Sequence, residues 1–157
     1  MKNQERIEKL LQYFDEIRPV LKTLKIKPVL WGSTAYVLHT KDFETEVNDI
    51  DFLISIEHYK DFLKELSKNN IKYEYVEGWD CIQLKKDDLM IEFDPLERYE
   101  IAKIEKIRFK EYDLNVVSKQ DLKNRYRLAS ESQRVESYST QKTRDYRKKY
   151  EKLLSYK

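Results

Sequence analysis

The chain has 157 residues, a usual length for one domain, and Ile, Val, Leu and Phe supply 43 of them, about 27%, above the roughly 20% below which chains tend to stay disordered. Apolar runs last only a handful of residues against the roughly 20 a membrane helix needs, the N-terminus is charged rather than signal-like, and one cysteine, Cys81, with two histidines, His39 and His58, makes neither a disulfide nor a zinc cluster, so the expected compartment is the cytoplasm with no membrane partner. The net charge of +2 hides an asymmetry: residues 119–157 hold 12 Lys and Arg against 5 Asp and Glu, whereas the first 118 hold 19 against 24. A basic tail behind an acidic body suits an anionic partner, although lysine-rich helices also serve solubility alone.

Ile7, Leu10, Leu11, Phe14, Ile17, Leu21 and Leu24 recur at three- and four-residue spacing and predict a helix over 3–25, capped by Asn3, that kinks or restarts at Pro19. Val29-Leu30-Trp31 predicts a short buried strand that stops at Gly32-Ser33, followed by a brief helix over 34–39 and a loop over 40–48. Residues 49–56 predict a second strand, and Tyr59, Phe62, Leu63 and Leu66 place a helix over 58–69. Three strands follow over 71–76, 79–84 and 89–94, joined by short connections and hence expected to be antiparallel neighbours. A hairpin over 104–109 and 114–117 comes next. Ser118 with Asp121 predicts a capping box opening a helix to about 128, and a last helix covers 141–155. The order is that of an α+β chain, expected to be one domain over 1–157 with its core at about 28–117 and a C-terminal helical part over 118–157.

Three features carry chemistry. At Trp31-Gly32-Ser33-Thr34 a glycine between strand and helix lets backbone amides approach a phosphate, although Ser33 also suits an ordinary helix cap. Asp49 and Asp51 flank Ile50 at the head of a strand, so they share one face; two such carboxylates repel, and an oxygen-preferring divalent cation relieves them. The alternative is a solvent-facing strand start. Glu92 and Asp94 alternate with Ile91 and Phe93, and Glu92 buried there requires a cationic partner or a metal. Asp94, before Pro95, is the rival third carboxylate.

This ordered set, an apolar strand, Gly32-Ser33, 15 intervening residues, Asp49-Ile50-Asp51 and then a strand with Glu92, resembles the nucleotidyltransferase superfamily, the polymerase-beta-like fold, in a pattern nearest its small lincosamide and aminoglycoside adenylyltransferases. The resemblance spans residues 28–96 and extends only loosely to the helices over 122–154. It implies a short mixed sheet flanked by helices with C-terminal helices behind it, Gly32 and Ser33 at the phosphates of an NTP, ATP or GTP, and Asp49, Asp51 and Glu92 as catalytic acids holding one or two magnesium ions. It further implies transfer of a nucleoside monophosphate to an acceptor hydroxyl with loss of pyrophosphate, a small-molecule acceptor being favoured over RNA or protein; a homodimer is left open. Several relatives place basic or histidine residues just ahead of the aspartate pair, where this chain reads Thr45-Glu46-Val47-Asn48. Lys41, Arg125, Arg127, Arg144 and Lys148 are candidates for the missing positive charge. The rival is a non-catalytic module of the same fold that binds nucleic acid or a protein through the basic helices.

The remaining candidates read as structural. His39 is expected to be packed or superficial, Trp31 and Trp79 to build the core, Cys81 to be a small buried apolar group, and the tyrosines, Tyr73, Tyr75, Tyr126, Tyr138, Tyr146 and Tyr150 among them, to pack rather than stack on bases.

Overall fold

Strand residues alternate between two sides of a sheet, and here that alternation sorts apolar from polar. The computed structural model describes the backbone of residues 2–131 and 140–155 and the side chains of 3–130 and 146–155. Its elements are α1 (Lys2–Asp15), α2 (Arg18–Thr23), β1 (Val29–Trp31), α3 (Gly32–Thr40), β2 (Ile50–Ile54), α4 (Tyr59–Lys68), β3 (Glu74–Val76), β4 (Cys81–Lys86), β5 (Leu89–Pro95), β6 (Ile104–Phe109), β7 (Tyr112–Val117), α5 (Lys119–Glu131) and α6 (Thr140–Ser155). Among the described residues the strands form one seven-stranded mixed sheet ordered β3-β4-β5-β2-β1-β7-β6. The pairs β2–β5 and β1–β7 are parallel and the other neighbours antiparallel. This is the α+β class expected from the element order.

Ile50, Phe52 and Ile54 of β2 lie level with Ile91, Phe93 and Pro95 of β5, and all six are buried. Phe14 of α1 stacks on Phe52 with ring centroids 4.3 Å apart, and Phe62 of α4 meets Phe93 edge-on at 4.9 Å. One side of the sheet is thus sealed by α1 and α4, and each large side chain buried there contributes about 1.5–3 kcal/mol. The core continues from Ile7 of α1 to Leu122 of α5 and Leu153 of α6. No helix among the described residues is long and apolar enough to cross a membrane.

Local departures from the expected elements have physical causes. The N-terminal helix restarts at Pro19, one of the two outcomes expected there: it breaks after Asp15 and resumes as α2, ending at Thr23 rather than 25, with Pro19 in the first turn, where its missing N–H costs nothing. Asn3 is no cap: it lies inside α1, and its Nδ2 donates to the Phe43 carbonyl at 2.6 Å. Trp79 is not in a strand and not in the core; it sits on a 3-10 turn, Glu77–Trp79, and is 67% exposed. The capping pair forms, with the Asp121 amide donating to Ser118 Oγ at 3.1 Å. Asp121 Oδ2 accepts from the amides of Ala102 and Lys103 at 3.0 Å each, so it ties the β5–β6 connection to the start of α5.

Candidate active site

The other side of the sheet carries the polar members of the same strands. One register row runs Gln83, Glu92, Asp51, Trp31 across β4, β5, β2 and β1. Period-two alternation therefore puts Asp51 and Glu92 side by side on adjacent parallel strands, with Asp94 two residues beyond. Asp49, just before β2, completes a group with Asp51 and Glu92 in which one ligand oxygen from each lies within 4.8 Å of the others. Glu92 is not without a neutral partner, since Gln83 Nε2 donates to its Oε1 at 2.8 Å.

The turn after β1 fits against this group. Gly32 has φ 75°, and a Cβ there would lie 2.5 Å from Asp51 Oδ2, so both the backbone conformation and the carboxylate require glycine. Thr34 Oγ1 donates to the Asp49 carbonyl at 3.2 Å, which fastens the start of α3 to the aspartate loop. Ser33 does not cap the helix. The N-terminus of α3 has no side-chain cap, and Ser33 Oγ accepts instead from Lys149 Nζ of α6 at 3.0 Å. The unpaired amides that a helix start presents are thus left without a side-chain acceptor beside the carboxylates.

Burial, and then the crowding of acids, governs the electrostatics. Burial first, and the neighbouring Glu92 second, push Asp49 above the usual carboxylate range. Asp51 is held well above it by burial, by Asp49 and by its hydrogen bond with Glu92. Asp94 is pushed up to about 6 by burial and Glu92, against the opposing pull of Arg98. Burial and the same acids raise the Cys81 thiol, so Cys81 is the inert buried group expected. Three converging, desolvated carboxylates offer hard oxygen ligands and gain by a nearby positive charge, which is the donor set a divalent cation such as magnesium takes.

Known structures share this architecture. A crystal structure of ANT(2")-Ia in complex with adenylyl-2"-tobramycin matches with a TM-score of 0.60 at 13% identity, over 92% of this chain and 87% of that one. The lincomycin-bound lincosamide antibiotic adenylyltransferase LnuA matches at 0.60 and 16% identity, over 96% and 98%. An antigenic nucleotidyltransferase-like protein from Paracoccidioides brasiliensis matches at 0.60 and 16% identity, over 86% and 70%. The chain has the nucleotidyltransferase fold. No protein-family model and no curated protein matches it.

Within this nucleotidyltransferase fold Asp51, Glu92, Asp94 and the Gly32-Ser33 turn line a cleft of about 740 Å³. The cationic residues are placed unequally, and the one at the turn, Lys149, is not among those expected from sequence. Lys149 reaches Ser33 and lies over the rings of Tyr36 and Tyr126, at 5.6 and 5.5 Å. Arg125 lines the cleft above Tyr99 at 5.1 Å and Trp31 at 5.9 Å, whereas Lys148 lines a neighbouring cavity of about 660 Å³. Lys41 caps the C-terminal end of α3, away from Gly32 at its other end. The Arg144 side chain and Tyr138 lie outside the described residues.

Sequence reasoning missed Lys149, Gln83, Arg98 and the exposed Trp79. For Gln83 a signal existed: it shares its strand parity with Cys81. Lys149 adjoins Lys148 in a run of basic residues, and only the docking of α6 decides which of them faces the turn. His39 is packed as expected, with its Nε2 2.7 Å from the Val117 carbonyl and Nδ1 3.7 Å from Glu105.

Proposed function

We propose that this protein is a magnesium-dependent nucleotidyltransferase that moves a nucleoside monophosphate from ATP or GTP to an acceptor hydroxyl and releases pyrophosphate. One observation carries the reading: Asp49, Asp51 and Glu92 converge within 4.8 Å against a glycine turn whose missing Cβ makes room for Asp51. In this reading Asp49, Asp51 and Glu92 hold the metal, which supplies charge neutralisation at the reacting phosphate when bound.

The chain's own groups do the rest. The uncapped amides of Gly32 and Ser33 and the Ser33 hydroxyl bind the β- and γ-phosphates, with Lys149 supplying the positive charge that Thr45-Glu46-Val47-Asn48 does not. The acceptor oxygen bonds to the α-phosphorus as the bond to the bridging oxygen of pyrophosphate breaks, the two oxygens lying roughly in line. Glu92, its Oε1 held by Gln83, receives the proton of the attacking hydroxyl. Cytoplasmic residence goes with this proposal, since nucleoside triphosphates and a free thiol at Cys81 both suit that compartment.

The test is transfer of label from α-labelled ATP, with magnesium, to a panel of hydroxyl compounds. Asp49→Asn and Asp51→Asn are each expected to abolish transfer while the far-ultraviolet circular dichroism spectrum stays unchanged. Transfer that survives both substitutions overturns the assignment.

A further inference from the structure

The cleft has two ends, and in-line displacement assigns them different tasks. Pyrophosphate leaves toward Gly32 and Ser33, so the acceptor must come from the opposite side of the carboxylates, over β5, β4 and β3. That side is lined by Val76, Trp79, Cys81, Gln83, Asp94 and Arg98. Resting on the transferase reading, we infer that this wall receives an uncharged ring, the face of a sugar or an aromatic group, of the hydroxyl-bearing acceptor and disfavours a polycation.

The first support is Trp79. It is the most exposed of the large apolar residues at 67%, yet the turn that holds it is fixed from three directions. Tyr59, itself buried, donates from its hydroxyl to the Asp80 carbonyl at 2.7 Å, Tyr75 donates to Asp80 Oδ1 at 2.5 Å, and Arg98 Nη2 donates to the Trp79 carbonyl. Asp80 accepts a left-handed φ of 49° to complete the turn. A tryptophan held open to solvent on a braced turn at the mouth of a cleft is a ready platform for a ring, and such rigid aromatic faces contribute most where they stack flat.

The second support is charge. Once Glu92 is committed to the metal, the residues lining the wall include one acid, Asp94, with Arg98 Nη1 3.6 Å from its Oδ1, while Glu77 and Asp80, on either side of Trp79, lie outside that lining and Asp80 accepts from Tyr75. The wall is therefore electrically balanced, with Gln83 as its other polar group. An acceptor with several ammonium groups would need several acids, and it would lose hydration there without gaining partners.

The experiment is isothermal calorimetry with p-nitrophenyl glucoside and with kanamycin, each run with and without magnesium and the non-transferable α,β-methylene ATP. The glucoside is expected to bind at least about tenfold more tightly than kanamycin. Trp79→Ala should weaken glucoside binding about tenfold, and Trp79→Phe should restore most of it. Glucoside binding indifferent to Trp79→Ala, kanamycin binding as tightly as the glucoside, or no glucoside binding at millimolar concentration overturns the inference. If the glucoside binds through Trp79 but the nucleotide analogue does not bind, the acceptor wall stands and the transferase reading falls.

Discussion

The two sides of the sheet are made from the same strands and obey opposite rules. On one, Ile50, Phe52, Ile91 and Phe93 are fully or almost fully buried against α1 and α4, and every contact lowers the free energy of the fold. On the other, Asp49, Asp51 and Glu92 converge within 4.8 Å, and burial and neighbouring acids oppose the charges of Asp49, Asp51 and Asp94 and raise it. The difference teaches where function sits in this molecule. Stability is made on the apolar side, and part of it is offset by an acidic cluster that the protein answers only in part, through Gln83 and Arg98.

The largest expected effect comes from breaking the apolar side. Phe52→Ala removes a ring stacked at 4.3 Å on Phe14 and 5.8 Å from Phe93, and should cost about 3–5 kcal/mol in urea unfolding. A loss under about 1 kcal/mol would mean that the packing of α1 on the sheet is not as described.

Next is the junction of the two rules at Gly32. Gly32→Ala imposes a side chain on φ 75° and drives its Cβ to 2.5 Å from Asp51 Oδ2, so it should cost at least about 1–2 kcal/mol and abolish magnesium-dependent nucleotide binding together. Wild-type nucleotide affinity in this variant would sink the account of the turn.

Smaller, and opposite in sign, is the effect of easing the acidic side. Asp51→Asn, measured without divalent cation at pH 7, should raise the melting temperature by about 2–4 °C, on the order of 1 kcal/mol, while removing activity. The sign follows from linkage. Asp51 and Asp94 have folded pKa values above their unfolded ones, so their contribution favours folding at low pH and is lost as pH rises, for Asp94 between about 4 and 6. The gain from Asp51→Asn should therefore shrink toward pH 4. A destabilised variant at pH 7 would contradict the view that the cluster opposes folding.

The smallest effect tests how α6 is held over the site. Lys152 Nζ lies 2.7 Å from Asp42 Oδ2, and Lys152 with Thr45 keeps Asp42 below the usual carboxylate range. A lowered carboxylate contributes stability above its unfolded pKa and loses it as pH falls through the folded value. With Lys152 half-exposed, Asp42→Asn should cost under about 1 kcal/mol at pH 7, and the difference from the parent should shrink as pH falls below the ordinary carboxylate range and Asp42 takes up its proton. A difference that does not shrink on acidification would assign the loss to packing instead.

Much of this was legible before the structure. Strand alternation alone puts Asp49 with Asp51 and Glu92 with Asp94, and the glycine after β1 marks a backbone that must approach something closely. What strand alternation does not give is register. That Asp51 stands opposite Glu92 rather than Asp94 follows from a parallel β2–β5 pairing between residues 41 apart, which no local pattern encodes. The restart of the N-terminal helix was legible from Pro19, which stands in the first turn of α2, whereas the place of the break, after Asp15, was not, because the apolar spacing continues through Ile17 and Leu21. Trp79 was misread because large aromatic residues are usually buried, and only the bracing of its turn by Tyr59, Tyr75 and Arg98 explains why this one is held outside. Lys149 could not be told from Lys148 without the docked phase of α6.

The most direct measurement is calorimetric titration of ATP and GTP, with magnesium and without, into the parent protein and an Asp49→Asn, Asp51→Asn double variant of matched circular dichroism. Binding by the parent that requires magnesium and disappears in the double variant is the predicted result. Binding that is indifferent to magnesium or survives in the variant, or none in either protein, contradicts the claim that these carboxylates form a nucleotide–metal site.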